Sequence, residues 1–67
     1  MNLINYERTY YVCYINEEGD FDFIEITIKP FMLPTALMFK NEINNRHTNP
    51  YECSRVVSWS LISYKEV

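Results

Sequence analysis

Two strand-like segments of this 67-residue chain are apolar on both faces, and the chain offers one helix with which to cover them. Residues 8–16 place Tyr10, Val12 and Tyr14 on one side and Tyr11, Cys13 and Ile15 on the other. Residues 21–29 place Ile24, Ile26 and Ile28 on one side and Phe21 and Phe23 on the other. Side chains of a strand point alternately to opposite faces, so one covering layer buries only one of these sets. The second set calls for a second layer, and few residues are left to build it. That layer is expected from another molecule.

The chain forms a single domain over residues 1–67. A domain of this size buries a modest share of its surface and gains from association. With 48% hydrophobic residues, 16% aromatic residues and one glycine, it is expected to fold rather than stay disordered. The net charge is −3, and Arg8, Lys29, Lys40, Arg46, Arg55 and Lys65 are scattered rather than clustered. Binding to nucleic-acid phosphates needs clustered cations, so a monomer is disfavoured as a nucleic-acid binder. A dimer would bring Arg46, Arg55 and their copies together. The chain starts Met-Asn-Leu-Ile-Asn-Tyr-Glu-Arg, without the basic and apolar regions of a signal peptide. A cytoplasmic protein with free thiols at Cys13 and Cys53 is the expectation. No apolar run approaches the roughly 18 residues of a membrane span.

Asn16-Glu17-Glu18-Gly19-Asp20 separates the two apolar runs, with the only glycine at its fourth position. A type I turn over Glu17-Glu18 followed by a left-handed residue requires glycine there. That loop pairs Asn16 with Asp20. Counting outward then sets Ile15 opposite Phe21, Cys13 opposite Phe23, Val12 opposite Ile24 and Tyr10 opposite Ile26. The apolar sets match across the hairpin, so turn chemistry and patterning agree.

Pro30 ends the second strand, because proline has no N–H for a ladder. Pro34 suits the first turn of a helix over residues 34–47. Ala36, Phe39 and Ile43 form its apolar stripe, with Leu37 beside them and Lys40 at the edge. Asn41, Glu42, Asn44 and Asn45 are expected to face water. Arg46 and His47 fall in the last turn, where positive charge suits the helix dipole, and Thr48-Asn49-Pro50 stops the helix. A third strand over residues 52–64 alternates Val57, Trp59 and Leu61 with Val56, Ser58, Ser60 and Ile62. Its serines suggest a wetter face at its centre. The expected fold is α+β in the order β-β-α-β: a three-stranded, largely antiparallel sheet with the helix on one face. The favoured strand order is 2-1-3, with the direction of the third strand left open. Residues 1–7 form a short extra strand or a loose arm.

The candidate interaction face is the set Tyr11, Cys13, Ile15, Phe21 and Phe23. Three coverings compete: the N-terminal arm with residues 30–33, a second copy stacking sheet on sheet, or a different protein. Aromatic residues on an open sheet also stack bases, so a nucleotide or single-stranded nucleic-acid binder is the alternative function. The acids Glu17, Glu18, Asp20 and Asp22 form either a solvated hairpin end or a docking edge for a basic partner, which would speed association. Their spacing is not that of a calcium loop. No catalytic residue is expected, since His47 lacks an arranged nucleophile. No metal site or cofactor is expected either, because Cys13 and Cys53 lack a second His/Cys pair. Phe31-Met32-Leu33, between two prolines, is expected to plug the end of the core, with Met32 and Met38 as alternative contact residues.

The order β-β-α-β, the turn Asn16-Glu17-Glu18-Gly19 and the following Phe21-Asp-Phe-Ile-Glu-Ile-Thr-Ile28 resemble the small modulators made by tailed phages. They are similar to a phage antitoxin family that blocks a host mRNA-cleaving toxin. The resemblance implies a class: small, acidic, non-enzymatic inhibitors of host defence or toxin proteins, working in the host cytoplasm. The expected function is therefore a protein-binding inhibitor or modulator, homodimeric or bound to a partner protein.

Overall fold

A computed structural model describes residues 3–46 and 52–66. Its elements are β1 (Glu7–Asn16), β2 (Phe21–Ile28), α1 (Ala36–Arg46) and β3 (Cys53–Lys65). The strands form one open sheet in the order β2-β1-β3, antiparallel throughout, with α1 against one face. The α+β class, the order of elements and the central place of β1 are as the sequence predicts. The direction of β3, left open by the sequence, is antiparallel to β1.

The β1–β2 hairpin has the predicted register from Arg8↔Ile28 to Ile15↔Phe21. Its turn has the predicted chemistry as well. Gly19 sits at φ +85° and donates its N–H to the Asn16 carbonyl at 3.0 Å. The space around its α-carbon is open, so the left-handed backbone alone selects glycine. The buried Asn16 side chain completes the turn. Its Oδ1 accepts from the N–H groups of Glu18 at 2.9 Å and Asp20 at 3.1 Å, a local bond that asparagine is suited to make.

The inner face of the hairpin meets α1. Tyr10, Val12, Tyr14, Ile26 and Ile28 are buried with Phe39, Ile43 and Cys53, while Ile24, Met38, Val56 and Trp59 pack around them. The Phe39 ring lies 5.7 Å from that of Tyr10 and 5.3 Å from that of Trp59. Both are tilted arrangements of the kind aromatic pairs prefer.

The helix begins later than expected. Thr35, not Pro34, forms its boundary: Thr35 Oγ1 accepts the Met38 N–H and its carbonyl accepts the Phe39 N–H, each at 3.1 Å. This is an N-cap. The apolar stripe consequently runs through Phe39 and Ile43, and Ala36 and Leu37 are exposed. Asn44 turns inward rather than to water. Its side chain accepts the Cys53 N–H at 2.7 Å and donates to the Cys53 carbonyl at 3.5 Å, pinning the return into β3. His47 and the expected stop at Thr48, Asn49 and Pro50 lie outside the described residues.

The third strand departs from simple alternation. Its partners on β1 skip Ser54, Val57 and Ile62, one extra residue at each of three breaks in register. Each is a bulge, which lets two residues of one strand oppose one of its neighbour. Directly paired residues share a face. Cys53, Val56, Trp59, Leu61 and Tyr64 therefore stand on the helix side, opposite Asn16, Tyr14, Val12, Tyr10 and Arg8. Val57 was expected beside Trp59; the bulge removes it from that face and puts Val56 in its place.

Candidate functional site

The two registers lay out the sheet face that α1 does not touch. From the hairpin tip, one row is Phe21, Ile15 and Arg55, and the next is Phe23, Cys13 and Ser58. A third is Glu25, Tyr11 and Ser60, followed by Thr27, Thr9 and Ser63. The five residues singled out from the sequence thus gather on β1 and β2, in the half of the face nearest the tip. The exposed serines of β3 form the wetter border that their sequence suggested.

Tyr11, Phe21 and Phe23 are 45%, 65% and 52% exposed, so no described part of the chain covers them. The Tyr11 and Phe23 rings stack on each other, with centroids 5.4 Å apart and planes 10° from parallel. Cys13 and Ile15 are half-buried among them. Farther along, the Thr9 and Thr27 hydroxyls meet at 2.8 Å.

The four acids separate. Glu17, Glu18 and Asp20 are exposed at the hairpin tip, where Glu17 also ties the turn to β3 through its N–H and the Glu52 carbonyl at 2.9 Å. Asp22 stands on the helix side of β2. It accepts the Tyr14 hydroxyl at 3.2 Å and the Phe23 N–H at 2.9 Å. The four acids named from the sequence are thus divided, three exposed at the tip and Asp22 engaged by Tyr14 on the helix side. Alternation along β2 separates Asp22 from its neighbours Phe21 and Phe23.

The N-terminal arm and the segment after β2 meet at the far end of the molecule rather than across the bare face. Tyr6 donates its N–H to the Leu3 carbonyl at 3.0 Å, a turn rather than a strand, and its ring lies 5.7 Å from that of Tyr64. Phe31 donates its N–H to the Ile4 carbonyl. Met32 donates to the Lys29 carbonyl at 3.2 Å and closes a turn with Pro30 and Phe31 at its centre. Phe31 has φ +70° and is 70% exposed. That conformation normally belongs to glycine or asparagine.

Arg8 holds this turn. Only 4% exposed, it donates to the Tyr6 carbonyl at 3.1 Å, the Lys29 carbonyl at 3.4 Å and the Met32 carbonyl. Buried charge is tolerated when such dipoles satisfy it. Arg8 thereby closes the end of the core, and Phe31, Met32 and Leu33 lie exposed outside it instead of plugging it. Sequence reasoning missed this role. The available signal was alternation, since Arg8 shares the inward set with Tyr10, Val12 and Tyr14.

Cys13 and Cys53 are free thiols on opposite faces of the sheet. Burial pushes the Cys53 thiol above its ordinary pKa, against the opposing pull of Lys40 and of a hydrogen bond from the Arg55 backbone. Among the described residues, no group of three or more His, Cys, Asp or Glu is placed to hold a metal. No described helix is long and apolar enough to cross a membrane. Comparison with family models, curated proteins and solved structures finds no match to this chain.

Proposed function

We propose that this chain is a small protein-binding inhibitor or modulator that acts by contact rather than by chemistry, and that its bare sheet face is the contact surface. The carrying observation is the exposed stack of Tyr11 on Phe23, with Phe21 beside it. Aromatic residues bury large areas at little cost in side-chain freedom, and they dominate the energy of protein interfaces. A sheet face of this kind accepts a second sheet, so the same surface supports a homodimer. The resemblance of the hairpin to phage antitoxin-like modulators places a host defence or toxin protein among the partners to test.

The alternative, a base-stacking surface, has less support. The Tyr11 and Phe23 rings turn one face to each other. Glu25 stands in the same row as Tyr11, and Arg55 is the one cation in the four rows.

Sedimentation at micromolar concentration tests the surface directly. Wild type is expected at twice the 8.1 kDa chain mass, and Phe23→Asp at the monomer mass. Burying one phenylalanine is worth roughly 1.5–3 kcal/mol per copy. If wild type is monomeric, proteins captured from a host lysate should be lost with Phe23→Asp. A monomer whose captured proteins are the same for both variants would defeat the proposal.

A further inference from the structure

The open edge of β2 is a second surface, separate from the bare face, and it borders a cleft. Hydrogen-bonded and non-bonded pairs alternate along an antiparallel ladder. The Asn16 N–H donates to the Asp20 carbonyl at 2.9 Å, so that pair is a bonded one. Counting from it, residues 22, 24, 26 and 28 bond to β1. Residues 21, 23, 25 and 27 turn their N–H and C=O groups to the open edge. Two side-chain bonds agree: the Glu25 carbonyl accepts from Arg46 at 3.2 Å, and the Phe23 N–H donates to Asp22.

The two edges of the sheet differ in what they can accept. β3 carries three bulges, which disrupt a regular ladder. β2 pairs with β1 over eight residues without a break and contains no proline. Because α1 lies mainly against β3, a cleft of about 310 Å³ remains between α1 and β2. Ile26, Ile28, Met32 and Met38 supply its apolar lining, and Lys29 and Glu42 its charged rim.

The geometry points to an extended, basic peptide segment of a partner protein, added to β2 as a fourth strand. Its backbone would pair with Glu25 and Thr27, and every second side chain would enter the cleft. Strand addition of this type takes affinity from the main chain and specificity from pockets for alternate side chains. The methionines adapt to varied apolar groups. Charge selects the occupant. Asp22 and Glu25 are the only charged residues of β2, Lys29 and Glu42 line the cleft, and Arg46 is already 3.5 Å from Glu42. A second copy paired edge to edge would bring the same two acids and no cation from β2 to meet them. A lysine- or arginine-bearing strand meets them favourably. Arg46 must release the Glu25 carbonyl to the incoming N–H while keeping Glu42 as its ion pair, so it acts as a latch on the edge.

The test uses an end-blocked peptide of alternating Lys and Val, titrated into the full chain and followed by amide NMR. Saturable binding that moves the Glu25 and Thr27 amides is expected. Thr27→Pro should weaken it by about tenfold or more while leaving the sheet intact, since that N–H points away from β1. Thr27→Val, which loses only the hydroxyl, should bind like wild type. The same peptide N-methylated at alternate residues, to remove its edge donors, should not bind, and this arm stands even if Thr27→Pro fails to fold. A Glu-Val peptide should not bind either. Absence of Lys-Val binding, or equal binding by the N-methylated or Glu-Val peptide, would overturn the inference. So would loss of binding on Tyr11→Ser, on the bare face, with none on Thr27→Pro.

Discussion

The strands on either side of β1 are built by different rules. Tyr10 is paired on one side with Ile26, 1% exposed, and on the other with Leu61, 41% exposed. On the β2 side a tight turn sets the register, and strict alternation holds to the end. On the β3 side the chain returns from a helix, and thirteen residues run beside the ten of β1 with three bulges between them. Inward residues of β3 at positions 53, 56 and 59 are therefore spaced by three rather than two. Alternation predicts facing only where something fixes the register at close range. The same difference governs the edges: β2 pairs without a break, whereas β3 is interrupted by three bulges.

The largest expected contrast is between the two partners of Tyr10. Ile26→Ala should cost about 2–5 kcal/mol, as for other large-to-small changes in a packed core. Leu61→Ala removes a side chain that is already part-solvated and should cost about 1 kcal/mol. Urea unfolding of both variants measures this. Equal losses would mean that β3 packs as tightly as β2, and the comparison would fail.

A finer contrast lies inside β3. Val56 faces Tyr14 and is half-buried, while Val57 is the skipped residue of a bulge and is exposed. Val56→Ala should cost about 1 kcal/mol, and Val57→Ala less than about 0.5 kcal/mol, as for other surface changes. The reverse order would restore the unbulged register in which Val57 stands beside Trp59.

These two strands also show what the sequence makes legible. The hairpin was readable because its one glycine and its paired apolar sets independently specify the same register. The face carrying Tyr11, Phe21 and Phe23 follows from that register; its lack of cover does not, because Arg8 and the Ile4 carbonyl hold the N-terminal arm and the turn after β2 together at the far end. The bulges were not readable. Ser54, Val57 and Ile62 carry no proline or glycine to mark a break, and the return of β3 is fixed from a distance by Asn44 holding Cys53. The turn after β2 was obscured in another way. A positive φ at Phe31 contradicts local preference, and it is held by contacts from the distant Arg8 and Ile4. Nor could the division of the acids be counted from composition; it needed the assignment of Asp22 to the inward set.

The smallest expected effect is a pH dependence at the Asn44-held start of β3. Cys53 lies opposite Asn16, at the bulge nearest the hairpin tip, and burial raises its thiol above the ordinary value of 9.0. Unfolding returns the thiol to water, where it loses its proton at lower pH than in the fold. Between those two pKa values the folded state binds more protons, so stability falls as pH rises. The contribution is intact below about pH 9 and is lost progressively above it. The quantity that isolates the thiol is the difference between wild type and Cys53→Ala. Denaturant midpoints measured from about pH 8 to 10 should fall more steeply for wild type. Lys40 opposes the rise by favouring the thiolate, so Lys40→Met should steepen the wild-type loss further. Parallel curves for wild type and Cys53→Ala would mean that the thiol is hydrated in the fold. The start of β3 would then be as open as the strand's far end, and the close join that Asn44 makes there would not exclude water.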